Sequence, residues 1–186
     1  MKPEEKARVK IDQWLTEAGW KVINRDEVEA DSSAVAVREG LLKGNREADY
    51  FLFINGKAVG ILEAKREEID ANKGVVCDQV EAYARGVPSF YTAYQKPIPF
   101  LYTSNGKQHY FHDFRKKDSD YEEIFAMHKP KKLVEMLGIE DPFAGLPTLN
   151  PKGLRACQYE AINGLEKSFR NGQNRALMVL ATGAGK

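Results

Sequence analysis

The chain has 186 residues, of which 42% are hydrophobic, and a formal net charge of +1 at pH 7. That length and apolar content allow one domain of about 140 to 150 residues with a true core, plus a short additional segment. The near-neutral charge argues against strong DNA affinity by the chain alone, and Cys77 and Cys157 are too few to predict a disulfide framework or a zinc site. Because no leader segment and no apolar run of about 18 residues occurs, we expect a cytoplasmic protein without membrane contact.

The first elements are predicted to be a helix and a strand. Pro3 suits the first turn of a helix, and Gly19 is suited to end it. The apolar face between them comprises Ala7, Ile11, Trp14, Leu15 and Ala18. A first strand is predicted over 20–23. Residues 25–47 are polar and irregular, with a short strand over 35–37.

A β-hairpin is predicted around Asn55-Gly56, the dipeptide that most readily supplies the two positive φ angles of a tight turn. If those residues form the loop, Asp49 lies opposite Leu62, whereas a one-residue bulge or a three-residue loop moves its partner to Glu63. In either case the two carboxylates lie within a residue of each other across the ladder, where opposite side chains are about 5 Å apart. Glu63 and Lys65 share one face, because side chains alternate along a strand.

Paired carboxylates at this spacing predict a cation site. Two such charges repel by about 3 kcal/mol at an effective dielectric constant of about 20, and a divalent cation would cancel the repulsion. Carboxylate oxygens from Asp49 and Glu63 suit Mg²⁺ or Mn²⁺ rather than a metal that prefers thiolate or imidazole. Lys65 would then stabilise charge on a phosphoryl oxygen or orient an attacking water. On spacing alone, ordinary solvated charges at strand ends remain an equal alternative.

The middle of the chain alternates helices and strands. The predicted ranges are a helix over 69–83, strands over 90–94, 100–103 and 108–114, and a helix over 121–137. Gln79 and Tyr83 are four positions apart and therefore project from one helix face. Ser104 to Lys107 predicts a second hairpin turn. Prolines at positions 142, 147 and 151 predict a linker over 140–153.

The last residues predict a phosphate-binding turn. Residues 175–181 are typical of a short buried strand, and the glycine-rich segment 182–186 follows at once. Glycines at 183 and 185 let backbone amides approach phosphates, and Lys186 would meet the charge of the terminal phosphate. Thr182, Gly183, Gly185 and Lys186 are therefore candidate nucleotide-binding residues.

Two of these patterns resemble nuclease motifs. Asp49 followed by Glu63-Ala64-Lys65 resembles the PD-(D/E)xK motif, with Ala48 in place of the proline. Gln79-Val80-Glu81-Ala82-Tyr83 resembles the QxxxY motif of the RecB-like branch. The resemblance implies an α/β restriction-endonuclease-like core, with a central mixed sheet flanked by helices, and catalytic roles for Asp49, Glu63, Lys65, Gln79 and Tyr83. Some relatives add a carboxylate from the first helix, but we expect Glu17 to be a solvated acid.

A third pattern widens the resemblance to the whole chain. Residues 154–162 resemble the Q motif of superfamily 2 helicases, whose glutamine, here Gln158, reads the adenine edge of ATP. A nuclease followed by the start of such a motor is similar to the restriction (R, HsdR) subunit of type I restriction-modification enzymes. This resemblance implies an endonuclease domain over 1–139, a linker over 140–153 and the start of a truncated motor over 154–186.

The same resemblance implies a function. Subunits of that family cut double-stranded DNA after ATP-driven translocation, in complex with a modification (methyltransferase) subunit and a specificity subunit. Two alternatives remain open, namely another helicase-fused PD-(D/E)xK nuclease and a non-catalytic docking module that keeps only the fold.

Overall fold

The structure is a computed structural model that describes residues 3–27, 34–44, 46–117, 119–139, 149–170 and 176–185. The chain divides into two units, Met1–Val134 and Glu135–Lys186. Among the described residues, no helix has both the length and the apolar character needed to span a bilayer.

The first unit is organised around a seven-stranded mixed sheet. Its strands, in chain order and also in spatial order, are β1 (Lys21–Asn24), β2 (Ala34–Leu41), β3 (Glu47–Ile54), β4 (Lys57–Ala64), β5 (Phe100–Ser104), β6 (His109–Asp113) and β7 (Glu122–Glu123). The helices of the chain are α1 (Pro3–Glu17), α2 (Gly74–Arg85), α3 (Pro130–Met136) and α4 (Ala156–Arg170). Strands β1 and β2 are parallel, as are β4 and β5, and the other neighbours are antiparallel.

Helices α1 and α2 pack on opposite faces of this sheet, as two adjacent residues of β3 show. The Tyr50 hydroxyl donates a hydrogen bond to Asp12 of α1, at 2.8 Å. Phe51, the next residue, belongs to a buried cluster that includes Val80 and Tyr83 of α2. Because successive strand residues point to opposite faces, the sheet lies between the two helices. The predicted α/β class with a mixed sheet flanked by helices is confirmed, and it is consistent with a restriction-endonuclease-like core.

The predicted hairpin is formed by β3 and β4, and its register is the bulged one. Asn55 and Gly56 have φ angles of 49° and 72°, as the tight turn requires. The ladder is interrupted next to Leu52 and Phe53, where Val59 is the extra residue on β4. Beyond this bulge Tyr50 pairs with Leu62.

Two predictions in the middle of the chain are wrong. The helix predicted from residue 69 begins only at Gly74, after turns over 67–69 and 71–72. Residues 90–94 form no strand, and Ala93 makes a single parallel bridge with Ala58. Strand β5 pairs with β4 from Gly60 onward and leaves only the first residues of β4 for this segment.

The long helix predicted over 121–137 is also wrong in its first half. Glu122 and Glu123 extend the sheet as β7 by pairing with β6, and the helix begins at Pro130. Proline fits the first turn of a helix but would remove a hydrogen bond and clash in its interior. The observed boundary therefore follows from a residue that the helical prediction passed over.

The second unit contains α4 and the glycine-rich turn. The described part of the predicted buried strand, residues 176–181, is not in a strand. Leu177 and Val179 are 89% and 82% exposed. A buried strand needs neighbours on both edges to satisfy its backbone groups, and no described strand pairs with this segment. Most of the predicted linker, residues 140–148, lies outside the described residues.

Candidate active site

Asp49 and Glu63 are brought together by the bulged register of the β3–β4 hairpin. Since Tyr50 pairs with Leu62, the next position along the ladder places Asp49 beside Glu63. Asp49 Oδ2 accepts a hydrogen bond from the backbone amide of Ala64 at 2.8 Å. Both carboxylates line a cleft of about 240 Å³.

Glu63 is buried in a way that an ordinary strand-end acid is not. Its residue exposure is only 4%. Burial, together with the nearby charge of Asp49, raises the pKa of Glu63 to about 7. Its Oε2 atom has no hydrogen-bond partner in the part of the chain that the structure describes. Such an atom is costly to bury, and a bound cation or water would offset that cost.

Lys65 and Gln79 surround the other oxygen of Glu63. The Lys65 ammonium donates to Glu63 Oε1 at 2.7 Å and to Gln79 Oε1 at 3.0 Å. The Gln79 amide donates to the same Glu63 oxygen at 2.8 Å. Helix α2 therefore supplies a side chain that holds both the acid and the lysine in place.

Tyr83 is linked to these groups through Gln79. Gln79 also donates to the Tyr83 hydroxyl, which lies one helical turn further along α2. Tyr83 is only 7% exposed and belongs to the buried cluster between α2 and the sheet. It contacts Gln79 and does not line the cleft. The structure thus places Tyr83 as a support for Gln79.

The donor atoms fit a hard divalent cation. Two carboxylates, one with an unpartnered buried oxygen, face one cleft, and Mg²⁺ and Mn²⁺ prefer oxygen ligands. Within the described residues, no group of three or more His, Cys, Asp or Glu side chains is placed to hold a metal. A cation bound here would therefore fill its remaining positions with water or substrate oxygens, as Mg²⁺ commonly does.

Arg8 is a site residue that the sequence did not reveal. Its Nη2 atom lies 2.5 Å from Asp49 Oδ1, and its side chain lines the same cleft. Arg8 and Asp12 are four apart on α1, a spacing typical of an exposed helical ion pair. In the structure each instead contacts β3, Arg8 through Asp49 and Asp12 through Tyr50. Only the docking of α1 onto the sheet reveals this role.

Glu17 lies away from the cleft. It is the last residue of α1, is exposed, and accepts a hydrogen bond from Gln13 at 2.8 Å. The cleft lining does not include it. A solvated helix acid remains the appropriate description.

In the second unit, Gln158 lies beside the glycine-rich turn. Its side-chain amide donates to the carbonyl of Gly185, and Arg155 donates to the carbonyl of Gly183. Both glycines have positive φ angles, 85° and 75° for Gly183 and Gly185. Thr182 precedes them in the same turn, whereas Lys186 lies outside the described residues. The structure therefore brings Gln158 to a turn that is remote in sequence.

Comparison with known families gives a match over part of the chain. Residues 35–120 match the family described as the type I restriction enzyme R protein N terminus. Over this stretch, a little under half of its length, the chain is similar to that family. The matched stretch carries Asp49, Glu63, Lys65, Gln79 and Tyr83, whereas Arg8 of the cleft lies outside it.

Two curated relatives resemble the chain over most of its length. The endonuclease subunit of the type I restriction enzyme EcoKI from Escherichia coli K12 is 28% identical over 98% of this chain. That of EcoAI from Escherichia coli is 28% identical over 92%. The chain spans 20% and 22% of the lengths of these two relatives.

A solved structure is also similar. It is a fragment assigned to an HsdR subunit of a type I restriction enzyme from Vibrio vulnificus YJ016, with 21% identity and a TM-score of 0.47. The match covers 100% of this chain and 36% of that one.

Proposed function

We propose that this chain carries the metal-dependent endonuclease domain of a type I restriction R subunit, which hydrolyses phosphodiester bonds of double-stranded DNA. The observation that carries the proposal is the convergence of Asp49, Glu63 and Lys65 on one cleft, with Glu63 Oε2 buried and unpartnered among the described residues. The similarity of residues 35–120 to the R-protein family supports the reaction class.

In this proposal Asp49 and Glu63 hold Mg²⁺ or Mn²⁺. The bound cation would supply a Lewis acid and a water of lowered pKa beside the scissile phosphate. Both carboxylates stand on paired strands of a buried sheet, so their separation is set by the ladder rather than by a loop. Glu63 Oε2 accepts no hydrogen bond from a described donor, so a cation there would displace none.

Lys65 and Gln79 have separate tasks. The Lys65 ammonium lines the cleft and is the cation placed to stabilise charge that develops on a phosphoryl oxygen. Gln79 orients Lys65 and Glu63 through its amide, and Tyr83 orients Gln79. The network limits the rotamers of both site residues before substrate arrives, which lowers the cost of reaching the reactive geometry.

The wider assembly is part of the same proposal. We assign the endonuclease domain to residues 1–139, a linker to 140–153 and the start of an ATP-dependent motor to 154–186. The division of the chain next to Val134 and the contact of Gln158 with the glycine-rich turn support this assignment. ATP would bind through Gln158 and the glycine-rich segment over 182–186, and translocation would require the modification and specificity subunits as partners.

Cleavage of plasmid DNA by the complete enzyme tests the proposal. Asp49→Ala, Glu63→Ala and Lys65→Ala are each expected to abolish cutting while DNA-dependent ATP hydrolysis persists. Glu17→Ala is the matched control, because it removes an acid of the same unit that lies outside the cleft. Normal cutting by any of the three cleft variants would overturn the proposal.

Metal binding separates the alternatives. Calorimetric titration with Mg²⁺ or Mn²⁺ is expected to detect a site that Asp49→Ala removes. A protein with no such site would be a docking module that keeps the fold without the chemistry. Purification with partners other than a DNA methyltransferase complex would favour a different helicase-fused nuclease.

A further inference from the structure

Arg8 is bonded to two acids at once. Its Nη2 atom lies 2.5 Å from Asp49 Oδ1, and its Nη1 atom lies 3.1 Å from Glu39 Oε1. The Asp49 side chain is 16% exposed, whereas that of Glu39 is 53% exposed. One guanidinium therefore bridges a half-buried carboxylate in the cleft and a solvated carboxylate outside it.

The backbone places these two acids side by side. Arg38 pairs with Tyr50 and Gly40 pairs with Ala48, so Glu39 lies at the ladder position next to Asp49. Glu39 has a φ angle of 54°, a left-handed conformation that is uncommon for a residue with a side chain. A guanidinium that leaves Asp49 thus has a second anionic partner within reach of a side-chain rotation.

Helix α1 is anchored so that Arg8 stays near this position. Asp12, one turn further along the helix, accepts hydrogen bonds from Tyr50 at 2.8 Å and from Arg38 Nη2 at 2.8 Å. These bonds tie α1 to both β2 and β3. The backbone of Arg8 is therefore held, while its side chain, 37% exposed, retains room to move.

Each carboxylate of the cleft has a cationic side chain as a partner. Arg8 contacts Asp49 and Lys65 contacts Glu63, so each carboxylate has one cationic partner. A divalent cation at Asp49 would lie within a few ångströms of the Arg8 guanidinium, and the two positive charges would repel strongly. Binding of the cation is then favoured if Arg8 leaves Asp49.

We propose that Arg8 is a positioning residue that neutralises Asp49 until a divalent cation binds, after which the guanidinium leaves Asp49 and is held by Glu39. This inference rests on the proposed metal-dependent function. It assigns Arg8 the task of keeping the two carboxylates close in the metal-free state. It assigns Glu39 the task of retaining the guanidinium when the cation takes its place at Asp49.

Titration of the intact protein with metal, in the absence of nucleotide, tests this exchange of Arg8 for a cation at Asp49. Mn²⁺ binding is measured by calorimetry for the wild type and for Arg8→Ala, with Asp49→Asn as the baseline for other metal sites. Removing the competing guanidinium is expected to tighten binding about tenfold. The thermal midpoint of Arg8→Ala is expected to fall without metal and to rise more than that of the wild type when Mn²⁺ is added.

Two further variants distinguish release of Arg8 from Asp49 on metal binding from an ion pair that only stabilises the fold. Glu39→Gln removes the second partner and is expected to weaken Mn²⁺ binding, opposite in sign to Arg8→Ala. In the double variant the Glu39→Gln effect should disappear, because no guanidinium remains to be transferred. Arg85→Ala is the matched control, since Arg85 forms an exposed ion pair with Glu81 on α2, outside the cleft. It is expected to leave the Mn²⁺ affinity unchanged.

The outcomes distinguish this inference from the function on which it rests. If the wild type and Asp49→Asn take up Mn²⁺ identically, no cation binds at Asp49 and both proposals fail. If Asp49→Asn abolishes a site whose affinity is the same in wild type and Arg8→Ala, the metal site stands and the exchange is overturned. Should Arg8→Ala be too unstable to measure, an unchanged affinity in Glu39→Gln overturns the exchange equally.

Discussion

The cleft at the β3–β4 hairpin and the glycine-rich turn are both formed by short polar motifs that follow an apolar segment. They differ in the contacts that keep each motif in its conformation. In the cleft, Glu63 is 4% exposed and stands on a strand with neighbours on both sides. In the turn, the preceding Leu177 is 89% exposed, and the described contacts of Gly183 and Gly185 include single bonds from Arg155 and Gln158. A motif is therefore given its geometry by its scaffold, and only the first scaffold is complete within the described residues.

The largest expected effect that tests this difference between the two scaffolds is the loss of buried apolar contacts. Phe51 is fully buried between α2 and the sheet, and truncating such a residue typically costs about 3–5 kcal/mol. We expect Phe51→Ala to lower the free energy of unfolding of the 186-residue chain by that amount. Leu177→Ala, the matched exposed site, should change it by less than about 0.5 kcal/mol. Chemical denaturation followed by circular dichroism measures both.

A large cost for Leu177→Ala would break the comparison. It would mean that residues 176–181 bury their side chains in solution. The strand expected from the sequence would then be present after all.

The second test compares the two glutamines. Gln79 fixes Glu63 and Lys65 by hydrogen bonds of 2.8 Å and 3.0 Å, and removal of such supporting bonds typically costs about 10- to 100-fold in activity. We expect Gln79→Ala to reduce DNA cleavage by that factor and to leave ATP hydrolysis unchanged. Gln158→Ala should lower ATP hydrolysis and cleavage together. Plasmid cleavage and phosphate release by the complete enzyme are the measurements.

The two variants control each other. Equal losses of both activities in Gln79→Ala would show that Gln79 acts on the fold as a whole. A selective loss of cleavage in Gln158→Ala would remove the proposed link between Gln158 and ATP.

The hairpin turn was predictable because it depends on local chemistry. Asn55 and Gly56 tolerate positive φ angles, so two residues were enough to locate the turn and its strands. The bulge at Val59 was left open, because its position depends on how both strands pack against the rest of the sheet. The sequence therefore predicted that Asp49 and Glu63 are close, but not which register brings them together.

The unpredicted features depend on contacts between distant parts of the chain. Arg8 reaches Asp49 across 41 positions, and no local pattern encodes the docking of α1. Likewise, Glu122 and Glu123 form β7 because β6 offers a free edge, although the surrounding sequence has helical character. Local periodicity does not encode which distant segments pair, so elements that depend on such pairing are predicted poorly.

The smallest expected effect concerns the free-energy cost of burying the ionised side chain of Glu63. Burial raises the pKa of Glu63 to about 7, above its usual value of 4.5 in an unfolded chain. Between these pH values the folded state binds more protons than the unfolded state, so the stability from protonated Glu63 is present at low pH and lost as pH rises through about 7. Glu63→Gln removes the charge and keeps the shape. With a chelator present, it should raise the free energy of unfolding by about 1–2 kcal/mol at about pH 8.

The same substitution should have little effect at about pH 4, because Glu63 is then largely neutral in both the folded and the unfolded state. Thermal unfolding of wild type and Glu63→Gln at the two pH values measures the difference. A stabilisation that is equal at both would assign the effect to packing rather than to charge. If instead Glu63→Gln is less stable than the wild type at about pH 8, the cation partner of Glu63, Lys65, already compensates the acid fully. The charges of Glu63 and Lys65 would then cancel as in an ordinary surface ion pair. The cleft would differ from the glycine-rich turn only in how deeply its residues are buried.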